Sequence, residues 1–95
     1  MYQWRTLGLI IPIDMYYVYV IKDIAKNKTY IGHTDDINRR LSEHRRGYGK
    51  ATKSCNGWEL VHQEVYSSRM LAMKREHFFK SGDGRKALKL KGIVI

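Results

Sequence analysis

Residues 16–22 place Tyr, Val and Ile on consecutive positions, the pattern of a strand buried on both faces. The polar stretch 23–28, with Asn27, has turn character. Residues 28–32 read as a second strand, so the pair predicts a hairpin in which Tyr19 and Tyr30 approach across the ladder. Gly32 is expected to end that strand. Thr34 or Asp35 can cap a helix running to about Arg46, with Ile37 and Leu41 as its apolar stripe and Arg40 and His44 on an adjoining face. Gly47 and Gly49 stop it. Residues 47–57 read as a basic loop carrying Lys50 and Lys53, and Trp58 to Tyr66 as a strand. Ser67 or Ser68 caps a second helix over roughly 68–80. Its positions Leu71, Ala72, Met73, Phe78 and Phe79 predict a broad buried face. Gly82 and Gly84 are expected to break the chain before a short basic helix over 85–91. The order β-β-α-β-α-α predicts a small α+β domain, a three-stranded antiparallel sheet flanked by helices.

Ninety-five residues suit one domain with a modest core. The charge changes the picture: 18 Lys and Arg against 9 Asp and Glu leave a net +9. A polyanion, most commonly nucleic acid, is the expected partner. The single cysteine, Cys55, excludes an internal disulfide and a cysteine-based zinc site of the usual kind, and a reducing cytoplasm fits. The apolar run Leu7–Ile13 is too short to span a bilayer and lacks the flanks of a signal peptide; no membrane partner is expected. Periodic structure begins at Met15. Residues 1–14 therefore read as an N-terminal extension, disordered or upstream of a natural start at Met15, and 15–95 as the domain. The alternative is that Ile10, Ile11 and Ile13 pack on the domain or on a partner.

The chemistry resides in a few spaced groups. Tyr17-Val18-Tyr19 and Tyr30-Ile31-Gly32 carry phenols eleven residues apart. Arg40 follows Tyr30 by ten residues, and His44 lies one helical turn beyond. Glu76 closes the string Ala72-Met73-Lys74-Arg75-Glu76 in the second helix. Trp58-Glu59-Leu60-Val61 and Lys80-Ser81-Gly82-Asp83-Gly84-Arg85 complete the pattern. Singly, each residue has a plain reading. The tyrosines suit any sheet, Arg40 is one charge among Arg39, Arg45 and Arg46, His44 suits a helix C-terminus, and Glu76 can pair with Lys80 at i+4. His62 and His77 read as structural or exposed.

Taken together over residues 15–91, the motifs resemble the GIY-YIG nuclease family, closest to small stand-alone members related to the N-terminal nuclease domain of the repair excinuclease. The resemblance implies a metal-dependent DNA endonuclease, structure-specific or repair-linked. Tyr30 would be the general base or water-orienting group, and Tyr19 would assist it through a hydrogen bond. Arg40 would hold phosphate oxygens, and His44 would relay a proton or donate to the phosphate. Glu76 would be the sole protein ligand of a divalent cation, Mg²⁺ or Mn²⁺. His33, Lys50, Lys53, Lys74, Arg75 and Arg85 would grip the DNA backbone without reading sequence, leaving specificity to DNA structure or a targeting protein. Position 17 is Tyr where the family pattern has Gly, His33 stands where relatives often carry Lys or Ser, and Leu88 stands where several larger members carry Asn. The competing readings are a weakly active or inactive nucleic-acid-binding module of the same fold, and an interaction domain with a basic surface.

Overall fold

The computed structural model describes residues 15–48 and 55–93. The elements are β1 (Tyr16–Asp23), β2 (Lys28–Thr34), α1 (Ile37–Arg45), β3 (Glu59–Tyr66), α2 (Arg69–Lys80) and α3 (Gly82–Leu90). The strands form one antiparallel sheet in the order β2-β1-β3. The expected α+β architecture and element order are those observed.

The continuous apolar run of β1 is explained by its central place. Val18 and Val20 pack with Ile31, Ala72, Phe79 and Leu88 on the face covered by α2 and α3. Tyr19 and Ile21 point the other way, toward Cys55 and Trp58, with Ile37 and Leu41 of α1 against them. Side chains alternate across a strand, so one strand serves two cores. Asn27 takes a positive φ of 51° in the β1–β2 turn, as Asn tolerates. The buried Asp23 accepts from the backbone N–H of Lys26 at 3.1 Å and of Gly57 at 3.2 Å. It thereby ties that turn to the approach to β3.

Four sequence expectations are corrected. β2 does not stop at Gly32 but continues to Thr34, because Gly32 faces a ring rather than a turn. The cap of α1 is Asp36, whose carboxylate accepts from the Arg39 N–H at 3.0 Å; Thr34 instead receives the Asp36 N–H. Gly82 and Gly84 lie inside α3 rather than between helices. Ser81 restarts the helix by accepting the Gly84 N–H at 3.2 Å. A Cβ on Gly84 would fall 1.8 Å from the Phe78 carbonyl oxygen, so this glycine serves close helix approach. Finally, α2 buries only Ala72 and Phe79, leaving Leu71, Met73 and Phe78 substantially exposed. A three-stranded sheet covers one narrow stripe of a helix, not a broad face. Residues 1–14, Gly49, Lys50 and Lys53 lie outside the described residues.

Candidate active site

The site begins with a glycine. Tyr19 on β1 stands directly across from Gly32 on β2. A Cβ on Gly32 would meet the Tyr19 hydroxyl at 2.6 Å and the Tyr30 ring at 3.0 Å. The bare backbone lets both phenols lie over the edge strand. Tyr30, opposite Ile21 and on the same face, places its ring centroid 6.2 Å from that of Tyr19.

Helix α1 supplies the next two groups from one face, as i, i+4 spacing requires. His44 is fully buried, its ring 4.7 Å from Tyr30 and 6.5 Å from Trp58. Its Nε2 lies 2.8 Å from the Tyr19 hydroxyl. Burial, reinforced by the Arg40 charge and partly opposed by Glu43, pushes the imidazole down to about 4. His44 is therefore neutral at pH 7, and the direction of its hydrogen bond with the Tyr19 hydroxyl follows the ring tautomer. Burial likewise raises the Tyr19 phenol above its ordinary value, against the opposing pull of Arg40. Tyr19 stays a neutral phenol, locked in place. Arg40 sits against both phenol oxygens. Burial works to lower its pKa, but hydrogen bonding to Glu43, Tyr19 and Tyr30 outweighs it and holds the guanidinium firmly charged. Glu43 fixes the fork, with Oε1 2.9 Å from Arg40 Nη1.

The carboxylate comes from the other side of the same strand. His33 follows Gly32 and so points to the α2 face. Its Nδ1 lies 2.5 Å from Glu76 Oε1. Lys80, one turn along α2, donates to Glu76 Oε2 at 2.6 Å. Burial works to raise the Glu76 pKa, but Lys80 and His33 outweigh it and hold the carboxyl below the usual range. Its negative charge is felt at Tyr19. Because β2 is an edge strand, the two sets of groups flank one rim of the sheet. Tyr30 and Lys80 share a cleft there.

The remaining sequence candidates divide. Arg85 lines that same cleft. Lys74 lies in a separate groove on α2 with Arg69, Met70, Met73 and His77. Arg75 is committed within the fold: Nε and Nη2 reach Glu64 at 2.8 and 3.3 Å, and the guanidinium covers the Phe78 and Phe79 rings. Leu88 is core, fully buried. Sequence reading missed Glu43, and it paired Lys80 with Glu76 only as a plain surface contact, the pair that is observed. The i+3 spacing of Glu43 from Arg40 was the available signal. The packing of Trp58 on His44 carried no local signal.

Among the described residues, no group of three or more His, Cys, Asp and Glu side chains could hold a metal ion. The Glu76 carboxylate, with Glu43 held on Arg40, instead suits a hard cation that keeps its waters and completes its shell with substrate phosphate. Lys80, with 47% of its side chain exposed, has solvent into which to move aside. Among the described residues no helix is long and apolar enough to cross a membrane.

A family model described as the GIY-YIG catalytic domain matches residues 15–89. UPF0213 proteins of Staphylococcus aureus strains Mu3, Mu50 and N315 are each 37% identical over 79 residues, covering 82% of this chain and 95% of theirs. The UPF0213 name states no activity, whereas the matched domain is a nuclease domain whose members generally use a divalent metal. With 75 consecutive positions matched, spanning every element of the sheet and its helices, the chain belongs to the GIY-YIG nuclease family.

Proposed function

We propose that the chain is a metal-dependent endonuclease that hydrolyses phosphodiester bonds in DNA. The observation that carries this reading is the flanking of one sheet edge by Tyr30 and Arg40 on one side and Glu76 on the other. Tyr30 is the half-exposed phenol of the pair, so it is the one that can meet a water. As its phenolate beside Arg40, it would orient the attacking water and take its proton as the water oxygen bonds to phosphorus and the P–O bond to the leaving sugar breaks, the leaving oxygen taking a proton from solvent. Arg40 directs its fork at the non-bridging oxygens, where negative charge grows. Tyr19 and His44 are positioning residues: buried and neutral, they hold the Tyr30 and Arg40 environment without touching substrate. Glu76 would hold the divalent cation, Mg²⁺ or Mn²⁺, which supplies Lewis-acid stabilisation of the departing oxygen.

Backbone phosphates are held by His33, Lys74 and Arg85, and by Lys50 and Lys53 of the loop. Such contacts position DNA without reading sequence, so selectivity would rest on DNA structure, such as branches or damage, or on a targeting protein in the cytoplasm. Residues 15–95 carry the domain and 1–14 an extension. A second reading, a binding module that does not cut, is favoured by the buried Leu88 where larger relatives carry Asn. The test compares wild type, Tyr30→Phe and Glu76→Ala on supercoiled, flapped and single-stranded DNA, with Mg²⁺ or Mn²⁺ and with chelator. Metal-dependent cutting by wild type that both variants lose supports the nuclease. Binding by all three with no cutting selects the module.

A further inference from the structure

Next to Tyr30 the sheet edge opens into a cleft of about 220 Å³, lined by Thr29, Tyr30, Ile31, Lys80, Arg85 and Leu88. Its floor is apolar, because Ile31 and Leu88 belong to the core. Its rim carries two cations and no carboxylate. Arg85 makes no ion pair among the described residues, whereas Arg39, Arg40 and Arg75 are each paired with an acidic side chain. Arg85 lies one turn before Leu88 on α3, so burial of Leu88 fixes which way that face of the helix is presented. The close approach at Gly84 fixes α3 against the end of α2. The cleft is therefore built by the fold before any ligand arrives. Lys80 connects it to the site already described: its ammonium is 2.6 Å from Glu76 Oε2 while its side chain lines the cleft wall.

A guanidinium and an ammonium beside an aromatic ring match a phosphodiester, with the anion on the cations and the sugar against Thr29 and Tyr30, while the buried Leu88 only backs the wall. We infer that the Lys80–Arg85 cleft is a second phosphate subsite, which binds the phosphate adjacent to the scissile one. This deepens the nuclease reading and rests on it for the word "scissile". The consequence is a preference for bonds inside a strand: a linkage lacking a charged neighbour on the cleft side leaves Arg85 unsatisfied. Lys80 exchanges between Glu76 and this phosphate as substrate enters.

The test uses short ligands whose phosphates are counted. The ¹⁵N-labelled full chain, in chelator, is titrated with the thymidine dinucleotide bearing one internal phosphate, and with its 5′- and 3′-phosphorylated forms. One of the two added phosphates should tighten binding about tenfold, as one exposed charge-assisted hydrogen bond can. Its shifts should centre on Thr29, Lys80 and Arg85. Arg85→Ala, an exposed position that leaves the core intact, should abolish that increment while the unphosphorylated dinucleotide binds as before. Lys74→Ala should keep the increment. Retention of the increment in Arg85→Ala, equal increments from both ends, or shifts centred away from this cleft would overturn the subsite. Nicking of supercoiled DNA is scored separately on the same preparations. A wild type that never cuts but shows the Arg85-dependent increment would remove the nuclease reading and leave the phosphate subsite standing.

Discussion

Two carboxylates under helix α2 invite comparison. Glu64 stands on β3 and Glu76 on α2, and both are mostly buried, with 19% and 14% of their side chains exposed. Both are held below the usual carboxyl range although burial works to raise them. For Glu64 the Arg75, Tyr66 and His62 hydrogen bonds overcome burial and bring it down to about 2. For Glu76 the overcoming partners are Lys80 and His33. Adjacent residues of one helix thus reach opposite edges of the sheet: Arg75 to β3 and Glu76 to β2. What differs is the grip. Glu64 receives a two-pronged Arg fork, the Tyr66 hydroxyl at 2.6 Å and His62 at 2.8 Å, and the Arg itself is pinned on two rings. Glu76 receives a lysine on a long exposed stem and one imidazole. Burial and charge alone do not separate a structural carboxylate from a working one. In the proposed nuclease the partners would separate them: Lys80 is the more exposed, 47% against 34% for Arg75, so Glu76 is the carboxylate that would be released to a cation.

Removing a reacting group from the β2 edge should lower activity and spare the fold, a change to the strand itself at Gly32 should lower both, and changes at the β3 edge should cost stability and spare activity. The largest effect is expected from Tyr30→Phe. Removing the hydroxyl should lower single-turnover DNA cleavage by roughly 10²- to 10⁴-fold, the usual worth of a general base, with an unchanged melting curve. Gly32→Ala comes next. Its Cβ would meet the Tyr19 hydroxyl at 2.6 Å, and Tyr19 is buried and tethered to His44, so it cannot swing away. Cleavage should fall on the order of a hundredfold through displaced groups, with about 1–3 kcal/mol of overpacking cost in urea unfolding.

That glycine also marks the limit of what the sequence alone discloses. Strand β1, the hairpin and the α1 stripe are legible because each is a local period, whereas Tyr30, Arg40 and Glu76 are picked out together only by the family resemblance. The continuation of β2 past Gly32 is not, since it depends on a ring from the neighbouring strand. Gly84 reads as a breaker by composition, yet its role is set by the Phe78 backbone packed on it. The α2 stripe reads too wide because sequence does not report how much sheet lies beneath a helix. Arg75 looks like a phosphate ligand until Glu64, eleven residues earlier and on another element, is seen to claim it.

At the β3 edge, Glu64→Gln should cost about 1–2 kcal/mol of stability by leaving Arg75 without its charged partner. Metal-dependent cutting per folded molecule should stay at the wild-type level. Stability should also depend on pH. His44 titrates near 4 when folded against an ordinary 6.5, so the unfolded chain takes up the proton first. Its contribution is whole above pH 6.5 and is lost as pH falls toward 4. Glu64 adds a second loss between its ordinary 4.5 and about 2. Urea midpoints measured from pH 7 to pH 2 should show both steps. Glu64→Gln should shrink the lower step to what Glu76 contributes there, and keep the upper one.

The most direct test sets Glu76→Gln beside Glu64→Gln in one experiment, nicking of supercoiled DNA with Mg²⁺ or Mn²⁺, with a thermal melt of each preparation. The account predicts that Glu76→Gln melts like wild type and does not nick, while Glu64→Gln melts early and nicks at the wild-type rate below its transition. Nicking by Glu76→Gln at the wild-type rate, or a fully folded Glu64→Gln that has lost it, would contradict the assignment of hydrolysis to the β2 edge.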